Sequence, residues 1–381
     1  MATRETDRAA LERAERDALL GLWCVPGVGP VTLGLVRKLA GGRLSSILDV
    51  PAREWLRGVT AIPPAVRGQL DAMGTPSENA QRIRAEARAS GMAICFRGDG
   101  DYPELLAELD DAPPVLFRMG RVGARRRRVA MVGSRSPDGG FLAYASAVAK
   151  EVAAAGVGVI SGGAMGIDRA CHLGALDVRG ETWAFLGSAL DQVDPAQMKV
   201  SEEILAGNGC LWSELPPGVR ADRTTFPRRN RLISGSADAV VVLRAGEGSG
   251  TLHTANHALR QGRTLLAMPG DPWLPQAKGA NRLLQTGQAL LCFGSAEIFA
   301  AIGLVAERVG GTLPAGRPLD DLGLSGNARA ALEALRPKVP RVLEEVLADC
   351  GLPPVTGVTA LAELECAGLL VQHPGRLYER V

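Results

Sequence analysis

Val157-Gly-Val-Ile160 runs directly into Ser161-Gly-Gly-Ala-Met-Gly-Ile-Asp168, so that an apolar β-type run meets a glycine-rich turn and then the start of a helical stretch. The order recurs twice: Gly133-Ser134-Arg135 follows the run 129–132, and Gly246-Glu-Gly-Ser249-Gly250-Thr251 follows the run 239–243. Strand, glycine turn and helix form the repeating half of a βαβ unit. Working outward, similar runs stand at 92–96, 183–187, 210–212, 264–268 and 289–292, with helical stretches of about ten to fifteen residues between most of them. The runs are continuously apolar, not alternating, as strands covered by helices on both faces must be. The expectation for residues 89–304 is therefore an α/β core, a Rossmann-like, doubly wound and mostly parallel sheet.

The flanks read differently. Residues 1–88 are helix formers broken by Pro and Gly, and Val25-Pro-Gly-Val-Gly-Pro30 between two helical stretches has the form of a helix-hairpin-helix (SAM-like) turn. Its glycines would expose N–H groups to one phosphate. Leu56-Arg-Gly-Val-Thr-Ala-Ile-Pro-Pro-Ala65 echoes it with Pro and Ala in place of glycines, which leaves protein contact as the alternative use of the pair. Val309-Gly-Gly-Thr-Leu-Pro-Ala-Gly-Arg-Pro318 predicts a linker over 305–320. Residues 321–381 then read helix, helix, helix and hairpin, with a His-Pro-Gly turn in the hairpin, which is the order of a winged helix.

Composition narrows the function. With 381 residues, 46% hydrophobic and 22% charged, the chain is a globular protein of two or three domains. Seven cysteines, an odd number with no Cys-x-x-Cys pair, exclude a disulfide framework and a zinc knuckle and point to a reducing compartment. No run is long and apolar enough for a secretory leader or a membrane span, so the expectation is cytoplasmic, with no membrane partner. A net charge of +2 argues against coating nucleic acid by bulk electrostatics, so any polyanion site is local. No Lys follows a Gly, which removes the P-loop; Gly-x-Ser-x-Gly and Gly-x-Gly-x-x-Gly are also missing. His253-Thr-Ala-Asn-His257 lacks a zincin's Glu and an evident third ligand. No metal, no cofactor and no catalytic residue is expected, and the chain is read as a binding protein, not an enzyme.

The three glycine turns carry the chemistry. On the carboxyl edge of such a sheet, helix N-termini present free N–H groups, and glycine lets the backbone approach an oxyanion closely. Arg135 adds a fork for phosphate. A second cluster, Thr225-Phe226-Pro227-Arg228-Arg229-Asn230-Arg231, combines guanidiniums with a ring and suits single-stranded nucleic acid. A solvated turn whose arginines pair with Asp222 and Glu214 accounts for it equally well. The four consecutive arginines 125–128 cannot all point one way and read as a solvated loop.

These residues resemble the DNA-processing protein A (DprA/Smf) family. The likeness runs in order from Tyr102-Pro103 through Pro114-Val-Leu-Phe117, Val132-Gly-Ser-Arg135, Ser161–Asp168 with His172, Phe226–Arg231, Ser249-Gly-Thr251, Pro269-Gly270 and Lys278-Gly-Ala-Asn281. The resemblance implies a protein that binds single-stranded DNA, dimerises through its core and loads the RecA recombinase in natural transformation, with a single-stranded-DNA-binding protein as a further candidate partner. It places the DNA site on Gly133, Ser134, Arg135, Ser161, Gly162, Gly163, Gly166, Asp168, Phe226, Arg228, Arg229, Asn230, Arg231, Ser249, Gly250 and Thr251. One segment departs from the family pattern, Ala189-Leu-Asp-Gln-Val-Asp-Pro195-Ala-Gln-Met198, and Lys199 beside it is the candidate substitute for the family's cation over the pocket.

Two other classes compete. A nucleotide phosphoribohydrolase of the lysine-decarboxylase-like family would share the core, but needs carboxylates where this chain has Ser249-Gly-Thr-Leu-His253-Thr254. A duplex-reading regulator would use the winged helix, but the stretch 355–366 carries Glu363 and Glu365 and no Arg or Lys.

Overall fold

The computed structural model describes residues 2–304 except Arg125 and Asp138, and residues 324–380 except 336–338, 340, 367–368 and 374–376. The expected linker, Arg125 of the arginine run and most of the expected His-Pro-Gly turn lie outside the described residues. The chain divides into two compact units, one ending at Leu304 and one beyond it.

The first unit is built on nine strands: β1 (Ala93–Phe96), β2 (Val115–Gly120), β3 (Arg128–Gly133), β4 (Gly158–Ser161), β5 (Thr182–Phe185), β6 (Gly209–Ser213), β7 (Ala239–Arg244), β8 (Thr264–Ala267) and β9 (Leu290–Leu291). They form one sheet in the order β1-β2-β6-β5-β4-β3-β7-β8-β9. From β6 to β9 every pairing is parallel, and each consecutive pair is joined through a helix. The eight runs read from the sequence all fall on strands. The ninth, β2, is missing from that reading: it follows Pro113-Pro114, only its first three residues are fully buried, and it pairs antiparallel with both β1 and β6. The sheet is thus mixed, with an antiparallel margin on one side.

Side-chain alternation explains the continuous runs. Ala130, Val132, Val240 and Val242 point into one buried layer, with Leu232 and Ala255 from the helices Thr225–Gly235 and Gly250–Arg260. Val129, Met131, Val241 and Leu243 point into the other, against Val148 and Cys171 from Gly139–Ala154 and Ile167–Asp177. Both faces lose water, so no polar alternation survives.

The N-terminal helices have an apolar cluster of their own around Leu22, Val36, Leu44 and Leu70. They also share one with the sheet, where Leu20, Trp23 and Ile83 meet Phe117, Ala184 and Leu211. The helix Pro76–Ala89 begins with a capping box, in which Thr75 and Glu78 bond each other's backbone, and leads into β1.

The second unit is a winged helix: helices Gly326–Ala334, Leu343–Cys350 and Pro354–Cys366 pack on a small antiparallel sheet of β10 (Arg341–Val342), β11 (Leu370–His373) and β12 (Leu377–Arg380). The stretch 340–350 reads as helical in the sequence, whereas Arg341 and Val342 pair with β12 as a short strand and the helix begins at Leu343. Glu363 accepts both the Ser325 N–H and the Ser325 hydroxyl at 2.7 Å, so this acid tethers the start of the neighbouring helix.

Candidate nucleic-acid interface

Strand order reverses between β3 and β7: the chain proceeds from β3 outward to β6, then returns to β7 on the other flank. A ligand crevice belongs at the carboxyl end of such a switch. A cleft of about 570 Å³ opens there.

Its first wall is the turn Gly133-Ser134-Arg135. The Ser134 N–H donates to the Arg244 carbonyl at 2.9 Å, which ties the end of β3 to the end of β7. The Ser134 carbonyl accepts the Ile167 N–H at 3.1 Å, which brings the turn after β4 alongside. Gly166, at φ +85°, makes that approach possible, since a Cβ there would stand 2.5 Å from the Ser134 oxygen.

Behind this wall sits a buried charged pair. Asp168 accepts the Gly162 N–H at 3.1 Å, and the Arg229 Nη1 donates to the Gly162 carbonyl at 2.6 Å and to the Phe185 carbonyl. Only a glycine at 162 leaves space for both groups, because a Cβ would meet Asp168 Oδ2 at 2.7 Å and Arg229 Nη1 at 2.8 Å. Burial raises the Asp168 pKa against the pull of the Arg229 guanidinium, and burial lowers Arg229 to about 10. The Arg229 Nε is buried with no acceptor.

The second wall comes from the patch 225–231, which is not a turn but the helix Thr225–Gly235. Helical spacing sorts its side chains. Phe226, Arg229 and Asn230 line the cleft. Arg228 and Arg231 face the other way and pair with Glu214, the former at 2.7 Å. Asp222, the other expected partner, instead accepts from Thr224 and Thr225. The third wall is Ser249, Gly250 and Thr251, where the Ser249 Oγ caps the helix Gly250–Arg260 by accepting the Thr251 N–H at 3.3 Å.

Ten of the seventeen residues singled out in the sequence thus line one cleft: Gly133, Ser134, Arg135, Asp168, Phe226, Arg229, Asn230, Ser249, Gly250 and Thr251. Ser161, Gly162, Gly163 and Gly166 lie outside its lining; Ser161 is spent on the Met131 carbonyl at 2.6 Å. Arg228, Arg231 and Lys199 lie outside it too, Lys199 exposed on the helix Pro195–Ala206. Arg223, His253 and Thr254 line it without having been anticipated. The cation density ahead of Phe226 could have flagged Arg223; nothing local flags His253.

The cleft's electrostatics are cationic at the mouth. Arg135 is exposed, has no carboxylate partner among the described residues, and its guanidinium lies 5.8 Å from the centroid of the Phe226 ring. That ring rests on Gly187, where a Cβ would come within 2.9 Å of it. The arginine run 126–128 is elsewhere, at the amino edge, and is neutralised: Arg126 and Arg128 pair with Glu181 at 3.3 and 3.2 Å, and Arg127 with Asp238 at 2.6 Å. Cys95, Asp99 and Asp101 bring donor atoms within 4.8 Å of one another. Arg16 and Arg118 already neutralise the two carboxylates, and burial pushes the Cys95 thiol up, so these residues do not fit a cation.

Comparison with known proteins adds likenesses over both units. Residues 93–303 match the family model described as DNA recombination-mediator protein A, and residues 314–376 match the DprA winged helix domain. The chain is 32% identical over 313 residues to Protein Smf of Synechocystis, covering 74% of this chain and 78% of that one. It is 32% identical over 208 residues to the DNA processing protein DprA of Bacillus subtilis, covering 54% and 70%. The X-ray structure of DNA processing protein A from Streptococcus pneumoniae superposes with a TM-score of 0.59 at 25% identity, covering 76% of this chain and 95% of that one.

Proposed function

Because the chain belongs to the DNA recombination-mediator protein A family, with a DNA-processing role, we propose that it binds single-stranded DNA in the cleft at the β3/β7 switch and hands it to the RecA recombinase. One observation carries the reading: Arg135, free of any carboxylate among the described residues, stands over the Phe226 ring at the mouth of a cleft walled by the turns 133–135 and 249–251 and by the helix Thr225–Gly235. Arg135 supplies a charge-assisted contact to phosphate and Phe226 a face for an unpaired base. Asp168 and the glycines 162, 163 and 166 hold the turn that shapes the site and make no DNA contact of their own in this account.

The protein acts as a binder without turnover. Asp168 is the one carboxylate lining the cleft among the described residues, and it is held by the Gly162 N–H beside Arg229. The helix start Ser249-Gly250-Thr251 offers no acid, which disfavours the phosphoribohydrolase alternative. The chain works as a homodimer, and the free edge strand β9, where Leu290, Leu291 and Phe293 are about half exposed or more, supports pairing of two cores along that edge. A single-stranded-DNA-binding protein would be met on the same strand. Among the described residues six cysteines are free thiols, in keeping with a cytoplasmic site of action, and no helix is long and apolar enough to cross a membrane.

Fluorescence polarisation with labelled single strands and the matching duplex tests the binding reading. Preference for the single strand, with affinity falling steeply with salt, is expected. Equal binding to the duplex at moderate salt would contradict it.

A further inference from the structure

The carboxyl edge of the sheet continues past the cleft. The turn after β7 presents Gly248 and Ser249 to the cleft, while its neighbour Glu247 lines a second, open groove of about 660 Å³ with Pro272, Lys278, Asn281 and Arg282. The two hollows therefore flank the same turn.

The second groove is firmly placed. The helix Lys278–Gln285 is pinned to the end of β7, with the Gly279 and Ala280 N–H groups donating to the Ala245 carbonyl at 2.8 and 3.1 Å. Gly279 packs so tightly that a Cβ would stand 2.6 Å from the Gly246 oxygen. From the loop before this helix, the Gln276 side chain donates to the Ser136 carbonyl at 3.0 Å, which ties the groove to the turn that carries Arg135.

Its chemistry is that of the first cleft in another form. Gly279, Ala280 and Leu283 are the buried face of the helix, so Lys278 and Arg282, one turn apart, share the outer face. Neither makes an ion pair among the described residues. Trp273, in the loop between β8 and this helix, is 89% exposed, the most exposed of the large apolar side chains among the described residues. Its backbone is nonetheless fixed, since Asp271 accepts the Trp273 N–H at 2.9 Å and the Leu274 N–H at 3.0 Å. Trp273 is the chain neighbour of Pro272, which lines the groove with Lys278 and Arg282, and an exposed ring on an anchored loop together with two cations that make no ion pair among the described residues has the chemistry of base stacking next to phosphate contact.

We propose that Trp273, Lys278 and Arg282 form a second contact for the same single strand, reached only by strands long enough to cross the Gly246–Ser249 turn. The proposal rests on the cleft reading above. Trp273 takes an unpaired base, and Lys278 and Arg282 take flanking phosphates. Glu247 opposes them from the turn and limits how tightly this part of the strand is held.

The test uses the full chain and two labelled oligothymidylates, of about six and about twenty nucleotides. Trp273→Ala and the double variant Lys278→Ala/Arg282→Ala should each weaken the long strand about tenfold and leave the short one unchanged, while Arg135→Ala weakens both. The double variant should also lower the salt slope for the long strand by about 1.4, from two lost phosphates at about 0.7 each. Glu247→Gln should tighten the long strand only. Unchanged long-strand affinity in both alanine variants, or equal losses on the two lengths, overturns the second contact while leaving the cleft intact. A wild-type chain that binds neither length overturns the cleft reading and this one with it.

Discussion

Arg135 and Phe226 leave the sheet from different elements, the one from the turn after β3 and the other from the first turn of the helix before β7, yet the guanidinium lies 5.8 Å from the ring centroid. The pair exists because the Ser134 N–H is bonded to the end of β7 and the ring is seated on Gly187. It puts a cation and an aromatic face at one mouth.

Arg135→Ala should therefore weaken single-strand binding by about ten- to a hundredfold, the equivalent of a charge-assisted contact of roughly 1.5–3 kcal/mol. Lys199→Ala, at an exposed position of the helix Pro195–Ala206 outside the cleft lining, should cost much less. Parallel titrations of the two variants check the ranking, and a dominant Lys199 would move the site toward the helix Pro195–Ala206.

Two glycines separate close approach from mere backbone freedom. Gly166 has φ +85° and a Cβ there would strike the Ser134 and Arg135 carbonyls at 2.5 and 2.6 Å, whereas Gly248 has φ +74° and open space around it. Gly248→Ala should cost about 1–2 kcal/mol of stability from backbone strain alone. Gly166→Ala should cost clearly more and lose DNA binding as well, because the turn holding Arg135 must shift. Denaturant melts and binding titrations on both variants check it; equal effects would mean the close approach does not shape the site.

His172 makes stability depend on pH. It is fully buried; its Nδ1 bonds the Thr182 hydroxyl at 2.7 Å, and that hydroxyl donates to the Val159 carbonyl, so Nδ1 carries the proton while Nε2 has no partner. Burial, helped by Arg229, lowers its pKa to about 3. The sign follows from linkage: the unfolded chain takes up a proton near the ordinary value of about 6.5 and the folded chain does not. The stabilisation is present above that value and is lost as pH falls toward about 3, at up to about 1.4 kcal/mol per pH unit. Asp168, whose pKa is raised by burial, works in the opposite sense in the carboxylate range. Unfolding midpoints measured between about pH 6.5 and 5 should fall with a steeper slope in the wild type than in His172→Gln; parallel slopes would refute the assignment.

Removing residues 321–381 should leave single-strand binding unchanged or slightly tighter. Every residue placed in the cleft belongs to the first unit, and the helix Pro354–Cys366 carries Glu363, committed to Ser325, and no Arg or Lys. Circular dichroism on the truncated chain establishes its fold before titration. A large affinity loss in a folded truncation would place DNA contacts or dimer contacts in the winged helix.

The core was legible in the sequence because burial on both faces leaves an unmistakable mark: the continuous runs of β3, β4 and β7 each end in a glycine turn. β2 was not legible, since in this short antiparallel strand at the margin only Val115, Leu116 and Phe117 are fully buried and Arg118 interrupts the apolar run. At the site, linear patterning found Arg135 and Phe226 but could not sort Arg228 and Arg231 from Arg229. That sorting depends on the register of the helix Thr225–Gly235 and on Glu214, which arrives from β6 and meets only one side of it. The glycines 162 and 166 were legible as necessary, and the structure adds a reason: they clear space for Asp168, Arg229 and the Ser134 carbonyl.

The central claim is that the single strand lies in the cleft at the β3/β7 switch with a base against Phe226. Photo-crosslinking a single strand that carries 5-iododeoxyuridine to the full chain, followed by mass-spectrometric mapping of the adduct, tests it most directly. An adduct on Phe226 is expected, disappearing in Phe226→Leu and weakening in Arg135→Ala. Adducts confined to the winged helix or to the N-terminal helices, with none on residues 223–254, would contradict it.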